Sequence, residues 1–255
     1  MEYGISQLAI IPLRAEASER SEMVSQILFG ETYAIAEWQE KWVKVITAYD
    51  TYEGWISRVQ VNLLNYEDYL TLNESPALLT TQTVTIANKL SDNTLLYLAA
   101  GSSLPFYENG SSWINNEVYG INDSGEREAN LIDTAKTYLN TPYLWGGRTH
   151  FGIDCSGFSQ TVFKQHGIQI KRDASQQAEQ GQVVDFLPGA QAGDLAFFDN
   201  EEGRIVHVGI MLDSEHIIHA AGRVKIDRID GQGIYSEEFK KHTHKLRIIK
   251  RYSPS

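Results

Sequence analysis

The chain has 255 residues, of which 42% are hydrophobic and 22% charged, a composition typical of a globular protein and unlike that of a disordered or collagenous chain. Its formal net charge is −11, so it is a poor candidate for binding nucleic acid or an anionic membrane surface. No apolar run approaches the roughly 18 residues that span a bilayer, and the single cysteine excludes an intramolecular disulfide.

The negative charge is concentrated in the first half of the chain. Residues 1–125 contain 6 Lys and Arg against 16 Asp and Glu, whereas residues 126–255 contain 16 against 17. Such an acidic surface either attracts a ligand that carries an amine or is simply solvated, and charge alone leaves both interpretations open.

The first residues contain neither the basic region nor the apolar region of a secretory signal peptide. This pattern predicts a cytoplasmic protein, and an exported protein whose leader is absent from this chain is the alternative. The sequence carries no signal for an oligomeric state.

Short strands separated by turn residues are predicted over the first part of the chain. The segment WVKVI at 42–46 alternates as a half-buried strand should, and a polar turn leads to a second strand that carries Gly54 and Trp55. Regular turns between short strands predict a small barrel. The predicted strands are Glu2–Leu13, Glu31–Trp38, Lys41–Thr47 and Tyr52–Ser57.

A second group of strands follows a polar segment at 66–75. Thr83–Leu90 and Thr94–Leu98 are strand-like and are separated by a polar turn. We therefore predict a first β domain at 1–65, a linker at 66–75, a less regular second β domain at 76–122 and a larger domain at 123–255.

In the larger domain, helices are predicted to precede strands. Asp123 lies three residues before Glu126 as in a capping box, and apolar residues at 131, 135, 138 and 139 predict an amphipathic helix. A second helix is expected to begin at Cys155. Helices followed by a run of strands indicate an α+β domain with an antiparallel sheet. The predicted strands are Asp194–Phe198, Arg204–Leu212, His216–Ala220, Lys225–Ile229 and Leu246–Arg251.

Two glycine-rich turns lead to Cys155, in the motifs PYLWGG at 142–147 and GIDCSGF at 152–158. Free N–H groups and the dipole at a helix start favour an anion, so we expect the thiolate form of Cys155 to be stabilised. Asp154 is expected to cap the helix through its side chain. An ordinary buried cysteine is the alternative, which the glycine-rich approach disfavours.

A thiolate nucleophile needs a base, and histidine is the usual one because its pKa lies near neutrality. His207 lies in the predicted strand IVHVGI, where Gly209 leaves space beside the imidazole. A third polar group should orient the base. His219 on the next strand is the candidate, with His216 as the alternative. The other histidines are interpreted as surface or loop residues: His150, His166, His242 and His244.

The order of these motifs resembles that of the NlpC/P60 cysteine peptidases, over roughly residues 125–251. That family has a papain-like fold and cleaves peptides of bacterial peptidoglycan. The resemblance implies that Cys155 is the nucleophile, His207 the general base and His219 the orienting residue. It also implies that Tyr143, in the Pro-Tyr-x-x-Gly-Gly motif, helps the Cys155 N–H to hold the oxyanion.

The same resemblance assigns substrate-binding residues. Asp154 and Ser156, beside the nucleophile, match residues that line the family's substrate groove. Ser175, in RDASQQ at 172–177, matches a groove serine, and Trp145 of the first motif is assigned to the groove as well.

The segment DTYEGWI at 50–56 is similar to the Gly-Trp strand of bacterial SH3 (SH3b) domains. SH3b domains before an NlpC/P60 domain resemble the γ-D-glutamyl-L-diamino acid endopeptidases, also called dipeptidyl-peptidase VI. In that group the first SH3b domain closes one end of the groove, and a Glu and a Tyr bind the free amine of L-Ala. Glu53 matches the Glu, with a hairpin-turn charge as the alternative interpretation, and Tyr66 is preferred to Tyr69 for the Tyr.

The expected fold is thus α+β, with a papain-like NlpC/P60 catalytic domain preceded by one or two small all-β SH3b barrels. The resemblance implies hydrolysis of the γ-D-glutamyl-diamino acid bond in peptidoglycan stem peptides with free N-terminal L-Ala, without a cofactor. Alternatives are a cell-wall-binding or peptide-binding protein with an inactive peptidase domain, and an acyltransferase or amidase on the same fold. A Zn²⁺ site formed by Cys155, His207 and His219 is disfavoured because no ligand pair has short spacing.

Overall fold

A computed structural model describes residues 1–122 and 129–253 of the chain. The chain divides into two compact units, Met1–Arg127 and Glu128–Ser255. The capping box predicted from Asp123 and Glu126 lies outside the described residues.

A seven-stranded antiparallel sheet forms the first part of the first unit. Its strands are β1 (Glu2–Ile5), β2 (Ile10–Arg14), β3 (Met23–Leu28), β4 (Thr32–Trp38), β5 (Trp42–Thr47), β6 (Glu53–Ser57) and β7 (Leu63–Leu64). They lie in the order β3-β2-β6-β5-β4-β1-β7. In β5, Val43 and Val45 are buried while their neighbours are half-buried, as the alternation predicts.

The segment predicted as one strand, Glu2–Leu13, contains a turn between β1 and β2. The Ser6 hydroxyl donates to the Leu8 carbonyl (2.9 Å), and this local bond competes with continuation of the strand. The prediction of a single strand was therefore wrong, because the apolar residues on both sides masked the turn.

Helix α1 (Tyr66–Glu74) occupies most of the predicted linker, after a one-turn 3₁₀ helix at Arg58–Gln60. Its N-cap is Asn65, whose side chain accepts the N–H of Asp68 (2.8 Å). A four-stranded antiparallel sheet in the order β10-β11-β8-β9 follows. Its strands are β8 (Val84–Lys89), β9 (Thr94–Ala99), β10 (Ser111–Ile114) and β11 (Glu117–Asn122).

The two sheets of the first unit share one apolar core. Ile5, Phe29 and Leu64 from the first sheet and its loops pack in the same cluster as Leu98 and Tyr119 from the second. Burial of apolar surface on both sheets therefore holds residues 2–122 together as one unit.

The second unit places helices against an antiparallel barrel. Its helices are α2 (Leu131–Lys136), α3 (Cys155–Lys164) and α4 (Ala174–Ala178), with a 3₁₀ turn at Leu187–Gly189. Its strands are β12 (Arg148–Thr149), β13 (Gly152–Ile153), β14 (Gln182–Val184), β15 (Leu195–Asp199), β16 (Ile205–Met211), β17 (His216–Ala221), β18 (Arg223–Asp230), β19 (Gly233–Ser236) and β20 (Lys241–Arg251).

The main sheet of this unit has the order β14-β20-β15-β16-β17-β18-β19, and β19 also pairs with β20. This last pairing closes β15 to β20 into a six-stranded barrel. Two differences from the predicted strands matter: β19 was not predicted, and β20 begins at Lys241 rather than at Leu246.

The two faces of the barrel wall contribute to different cores. Val208 and Ile218 pack in a cluster with Phe158 of helix α3. Met211 and Ile217, on the opposite face of the same strands, belong to a second cluster. Strand alternation places His207 on the face of Met211 and His219 on the face of Ile217, so the two histidines share one face.

Among the residues that the structure describes, no helix has both the length and the apolar character needed to cross a membrane.

Candidate active site

The start of helix α3 is fixed by tight backbone packing. Asp154 is the N-cap, and its Oδ1 accepts the N–H of Gly157 (2.6 Å), as the sequence predicts. A Cβ on Gly157 would lie 2.3 Å from the carbonyl oxygen of Gly147. Only glycine allows this approach, so the glycine-rich turns serve to set Cys155 at the first position of the helix.

The Asp154 carboxylate is fully engaged inside the protein. Arg172, 1% exposed, binds it in bidentate fashion, with Nη1–Oδ1 and Nη2–Oδ2 distances of 3.1 and 2.7 Å. Oδ2 also accepts the N–H of Gly146 (2.8 Å). The Ser156 hydroxyl accepts from Arg172 Nη1 at 2.9 Å. Asp154 and Ser156 therefore hold the helix start, and their predicted substrate contacts stay predictions.

The Cys155 sulfur lies where two barrel strands separate. The described ladder between β16 and β17 consists of the pairs Ile210↔Ile218 and Met211↔Ile217. Beyond it, the N–H of Val208 in β16 donates to the Cys155 sulfur, as does the N–H of Ser156 in helix α3. The thiol is therefore held against the backbone of the residue that follows His207.

Two opposing effects act on the thiolate form of Cys155. Burial raises the pKa of the Cys155 thiol to about 12, and the nearby Asp154 charge acts in the same direction. The N–H groups of Val208 and Ser156 lower it, but by less than the loss of hydration raises it. Burial therefore favours the neutral thiol at rest, because a side chain that is 6% exposed cannot rely on water to solvate its anion.

A continuous chain of side chains leads away from His207. Its Nε2 lies 2.9 Å from Nδ1 of His219, and Nε2 of His219 lies 3.0 Å from Oδ2 of Asp227. Lys225 Nζ lies 3.0 Å from the same carboxylate oxygen. The structure therefore brings together the two histidines that the sequence paired, and adds two charged residues of β18 that sequence reasoning missed.

Both imidazoles are neutral, for related reasons. Burial lowers the pKa of His207 well below its usual value, and the neighbouring His219 acts in the same direction. Burial also lowers the pKa of His219, although Asp227 opposes this shift. The alternative orienting residue, His216, instead pairs with Asp213 (3.1 Å) at an exposed position.

The contact between His207 and His219 depends on the space beside Gly209. A Cβ there would lie 2.8 Å from Cβ of His219 and 2.7 Å from Cδ1 of Ile217. The absence of a side chain at this position lets β17 bring His219 within hydrogen-bond distance of His207, as the sequence pattern predicts.

His244 is not a surface residue, and that prediction was wrong. Its ring stacks on His207, with centroids 4.1 Å apart and planes at 26°, and it also contacts Phe198 (6.0 Å). Burial lowers the pKa of His244 to about 4, and the adjacent His219 and Lys225 contribute. Sequence reasoning missed this position because His242 and His244 continue the alternation of β20 with polar rather than apolar side chains at the inward positions.

Tyr143 lies beside the nucleophile. Its N–H donates to the carbonyl of Gly222 (2.9 Å), and it forms an isolated bridge with Ile153. Burial raises the pKa of the Tyr143 phenol, and the nearby Cys155 and Asp154 raise it further. The phenol is therefore protonated and can donate a hydrogen bond to a developing oxyanion.

Two other predicted groove residues are exposed. Trp145 is 59% exposed, in the loop before β12. Ser175 is exposed on the first turn of α4, whereas Gln177 is buried and donates to the carbonyl of Ser156 (3.0 Å). Of these two α4 residues, Gln177 is the one that contacts the helix start.

Glu53 and Tyr66 of the first unit have different partners in the structure. The Glu53 carboxylate pairs with Lys44 (2.7 Å), and the Tyr66 ring stacks on Tyr3 at a centroid distance of 5.4 Å. The register Glu53↔Ile46, Ile46↔Ala34 and Ala34↔Tyr3 separates Glu53 from Tyr3 by three strand steps, about 14 Å along the sheet. The predicted joint binding of one ammonium group by Glu53 and Tyr66 stays a prediction.

The tyrosine alternatives differ in exposure. Tyr69 also stacks on Tyr3, at 4.0 Å, and packs against the shared core of the unit, whereas Tyr66 is 56% exposed. Within the described residues, no group of three or more His, Cys, Asp or Glu side chains has the arrangement of a metal site.

Comparison with family models gives two matches. Residues 140–246 match the NlpC/P60 family, and residues 13–61 match the bacterial dipeptidyl-peptidase Sh3 domain. The first match contains Tyr143, Cys155, His207 and His219, and the second contains Glu53.

Two relatives match most of the chain. The gamma-D-glutamyl-L-lysine dipeptidyl-peptidase of Bacillus subtilis is 31% identical over 212 residues, which are 77% of this chain and 71% of the relative. The protein of the same name from Bacillus cereus is 30% identical over 249 residues, which are 86% of this chain and 74% of the relative.

A solved structure shows the same fold. An NlpC/P60 family protein from Bacillus cereus superposes with a TM-score of 0.81 at 21% identity, covering 98% of this chain and 99% of that one.

Proposed function

The chain belongs to the NlpC/P60 family and is a peptidase of that family with a bacterial SH3 domain, and from this premise we propose that it hydrolyses the γ-D-glutamyl-diamino acid bond of peptidoglycan stem peptides. The preferred substrates carry a free N-terminal L-Ala, and the product is L-Ala-γ-D-Glu. The names of the two Bacillus relatives support this substrate class, and L-Lys is accordingly the diamino acid to test first.

One observation carries the catalytic part of the proposal. The only cysteine of the chain accepts a hydrogen bond from the N–H that follows His207, and His207 is bonded through Nε2 to His219 (2.9 Å). Because Nε2 is engaged, the other ring nitrogen, Nδ1, is the one that can exchange a proton with the thiol. This arrangement supports the proposal that Cys155 is the nucleophile, His207 the base and His219 the orienting group of a cysteine hydrolase.

Acylation starts from a neutral pair. Since burial raises the pKa of Cys155 and lowers that of His207, the thiol proton moves to Nδ1 as the sulfur attacks the γ-glutamyl carbonyl carbon. The carbonyl oxygen becomes an oxyanion, to which the Tyr143 phenol and the Cys155 N–H donate. When the C–N bond breaks, His207 returns its proton to the leaving α-amine, and a thioester to Cys155 remains.

Deacylation repeats these steps with water. His207 takes a proton from the attacking water, the same donors hold the second oxyanion, and the sulfur leaves as the thiol after taking that proton back. The products are L-Ala-γ-D-Glu and the enzyme in its starting protonation state.

Preference for a free N-terminus is supported by charge. The first half of the chain carries 10 more acidic than basic residues, so its surface favours a cationic amino terminus over a neutral acetylated one. Tyr66 is the more exposed of the two tyrosine candidates.

The proposal is tested with L-Ala-γ-D-Glu-L-Lys and its N-acetylated form, using the wild type and Cys155→Ala. We expect the wild type to release L-Ala-γ-D-Glu from the free tripeptide at least about tenfold faster than from the acetylated one, which corresponds to about 1.4 kcal/mol. Cys155→Ala should release none. Equal rates on both peptides would remove the free-amine preference, and no release by the wild type, with tight peptide binding, would favour a binding protein.

A further inference from the structure

Two charged residues of β18 extend the histidine chain. Asp227 lies 3.0 Å from Nε2 of His219 and is bound from its other side by Lys225 at the same distance. The side chains are 11% exposed for Asp227, 15% for Lys225 and 0% for His219, so these bonds are largely shielded from water. Such shielding strengthens hydrogen bonds that involve a charge.

The position of this pair follows from strand register. Lys225 lies directly opposite His219, and Asp227 lies opposite Ile217, two residues further along the same face. Both side chains can therefore reach His219 from the neighbouring strand. The pattern Lys-x-Asp in β18 places a fixed cation and a fixed anion against one end of an imidazole chain.

Asp227 is held in its ionised form. Burial would raise the pKa of this carboxyl, but the hydrogen bonds from His219 and Lys225 together keep it below its usual value. A carboxylate has no proton to donate, so the contact with His219 must use a proton on His219 Nε2.

The proton on Nε2 of His219 also fixes which nitrogen of His207 carries its proton. A neutral His219 protonated at Nε2 has a lone pair at Nδ1, so Nδ1 accepts from Nε2 of His207 at 2.9 Å. A neutral His207 protonated at Nε2 then has its lone pair at Nδ1. With the opposite tautomer, the basic lone pair of His207 would be directed at His219 instead.

We propose that Asp227, held in place by Lys225, is a positioning residue that sets the tautomers of His219 and, through it, of His207, so that the basic lone pair of His207 is at Nδ1. Asp227 touches neither substrate nor sulfur and acts through the two histidines. When His207 accepts the thiol proton, the carboxylate at the end of the chain also stabilises the new positive charge. For its activity readout, this inference depends on the function proposed above.

Other charged groups around the histidines must be counted in any pH measurement. His244 of β20 stacks on His207, and Lys225 of β18 opposes protonation of both His207 and His219. Asp154 and Arg172 lie on the side of the thiol. Among these groups, Asp227 is the anion in direct contact with the histidine chain.

The chain offers a matched control. Asp230 of the same strand bonds Nε2 of His242 at 2.9 Å. The Asp230 side chain is 54% exposed, however, and His242 is not part of the hydrogen-bonded series His207–His219–Asp227. Asp230→Asn therefore makes the same chemical change as Asp227→Asn at an Asp–His pair without the proposed role. Asp227→Ala removes the acceptor entirely, whereas the amide oxygen of Asp227→Asn can still accept from His219.

Three measurements test the inference. The first is kcat and KM for the free tripeptide. The second is the rate at which iodoacetamide alkylates Cys155, which needs no substrate and reports on one residue because the chain has a single cysteine. The third is the tautomer of His219 and His207 in the wild type, from the ¹⁵N chemical shifts of the ring nitrogens.

We expect Asp227→Ala to lower kcat and the alkylation rate between about tenfold and a hundredfold with little change in KM, the range typical when a residue that orients a functional imidazole is lost. Asp227→Asn should recover part of both, and Asp230→Asn should stay within about twofold of the wild type. In the wild type, the protons of both rings should be on Nε2.

A wild-type proton on Nδ1 of His219 would overturn the inference even if no variant folds. It would also be overturned if Asp227→Ala matched Asp230→Asn in kcat and in alkylation. Failure of the proposed function has a different signature: no cleavage by the wild type, with alkylation of Cys155 still dependent on Asp227.

Discussion

Two buried polar networks meet at Cys155, and they differ in how their hydrogen bonds are arranged. In the first, Asp154 receives five hydrogen bonds, two from Arg172 and one each from Gly146, Gly157 and, at 3.5 Å, the Ser156 hydroxyl, and so has no oxygen left for another task. In the second, His207, His219 and Asp227 form a line with a single bond at each step. A saturated cluster fixes geometry, whereas a line of titratable groups can also move a proton.

The comparison predicts that changes to the first network affect folding and changes to the second affect rate. We expect Arg172→Met to lower the free energy of unfolding by about 3–5 kcal/mol, because it leaves the Asp154 carboxylate buried without its cation. Urea denaturation measures the change. Arg204→Met, which breaks an exposed pair with Glu202 (3.3 Å), is the control and should cost less than about 1 kcal/mol. Equal stabilities of the two variants would show that the Asp154 cluster is not structural.

Tyr143 should affect rate without affecting stability. Tyr143→Phe removes a proposed oxyanion donor and is expected to lower kcat by about a hundredfold to a thousandfold, with KM nearly unchanged. Steady-state kinetics on the free tripeptide measure the effect, with the exposed Tyr97→Phe as the control. A loss in kcat of less than about threefold would remove Tyr143 from the oxyanion site.

The resting protonation state can be measured through alkylation of Cys155. Because burial raises the pKa of the thiol to about 12 and lowers that of His207, we expect the alkylation rate between pH 6 and 9 to be the sum of two components. One is independent of pH, since His207 takes the thiol proton, and it is the component that Asp227→Ala should reduce; the other comes from direct ionisation of the thiol and rises about tenfold per pH unit. A rate that is constant over the whole range and equal to that of a free thiolate would contradict the neutral pair and restore the stabilised thiolate that the helix start suggests.

The smallest expected effect concerns the ring that stacks on the base. His244→Ala should lower kcat about twofold to tenfold, since aromatic stacking contributes about 0.5–1.5 kcal/mol and the ring limits rotation of His207. His244→Phe keeps the stacked face and should remain close to the wild type. His242→Ala, two residues away, is the control. If it lowered kcat as much as His244→Ala, the effect would come from disturbance of strand β20 and not from loss of the stacked ring.

The parts of the site that the sequence predicts are those encoded by local pattern. Asp154 and Gly157 mark the helix start at Cys155, and the strand pattern around Gly209 pairs His207 with His219. Each of these inferences needs only neighbours within one element or across one turn.

The parts that sequence reasoning missed depend on long-range packing. The pKa of Cys155 depends on burial that no local pattern reveals, and Arg172 reaches Asp154 across 18 residues. His244 was missed because the inward residues in the first half of β20 are polar, so hydrophobic alternation gave no signal. Glu53 and Tyr66 were paired by resemblance alone, and this pairing stays a prediction.

The central claim is that Cys155 carries the γ-glutamyl group as a thioester while His207 moves the proton. Rapid acid quench of the wild type during turnover of L-Ala-γ-D-Glu-L-Lys, followed by intact and peptide mass spectrometry, tests it directly. We expect a mass increase equal to the L-Ala-γ-D-Glu acyl group, located on Cys155 and absent from Cys155→Ala. Turnover by Cys155→Ala, or an acyl group on any other residue, would contradict it.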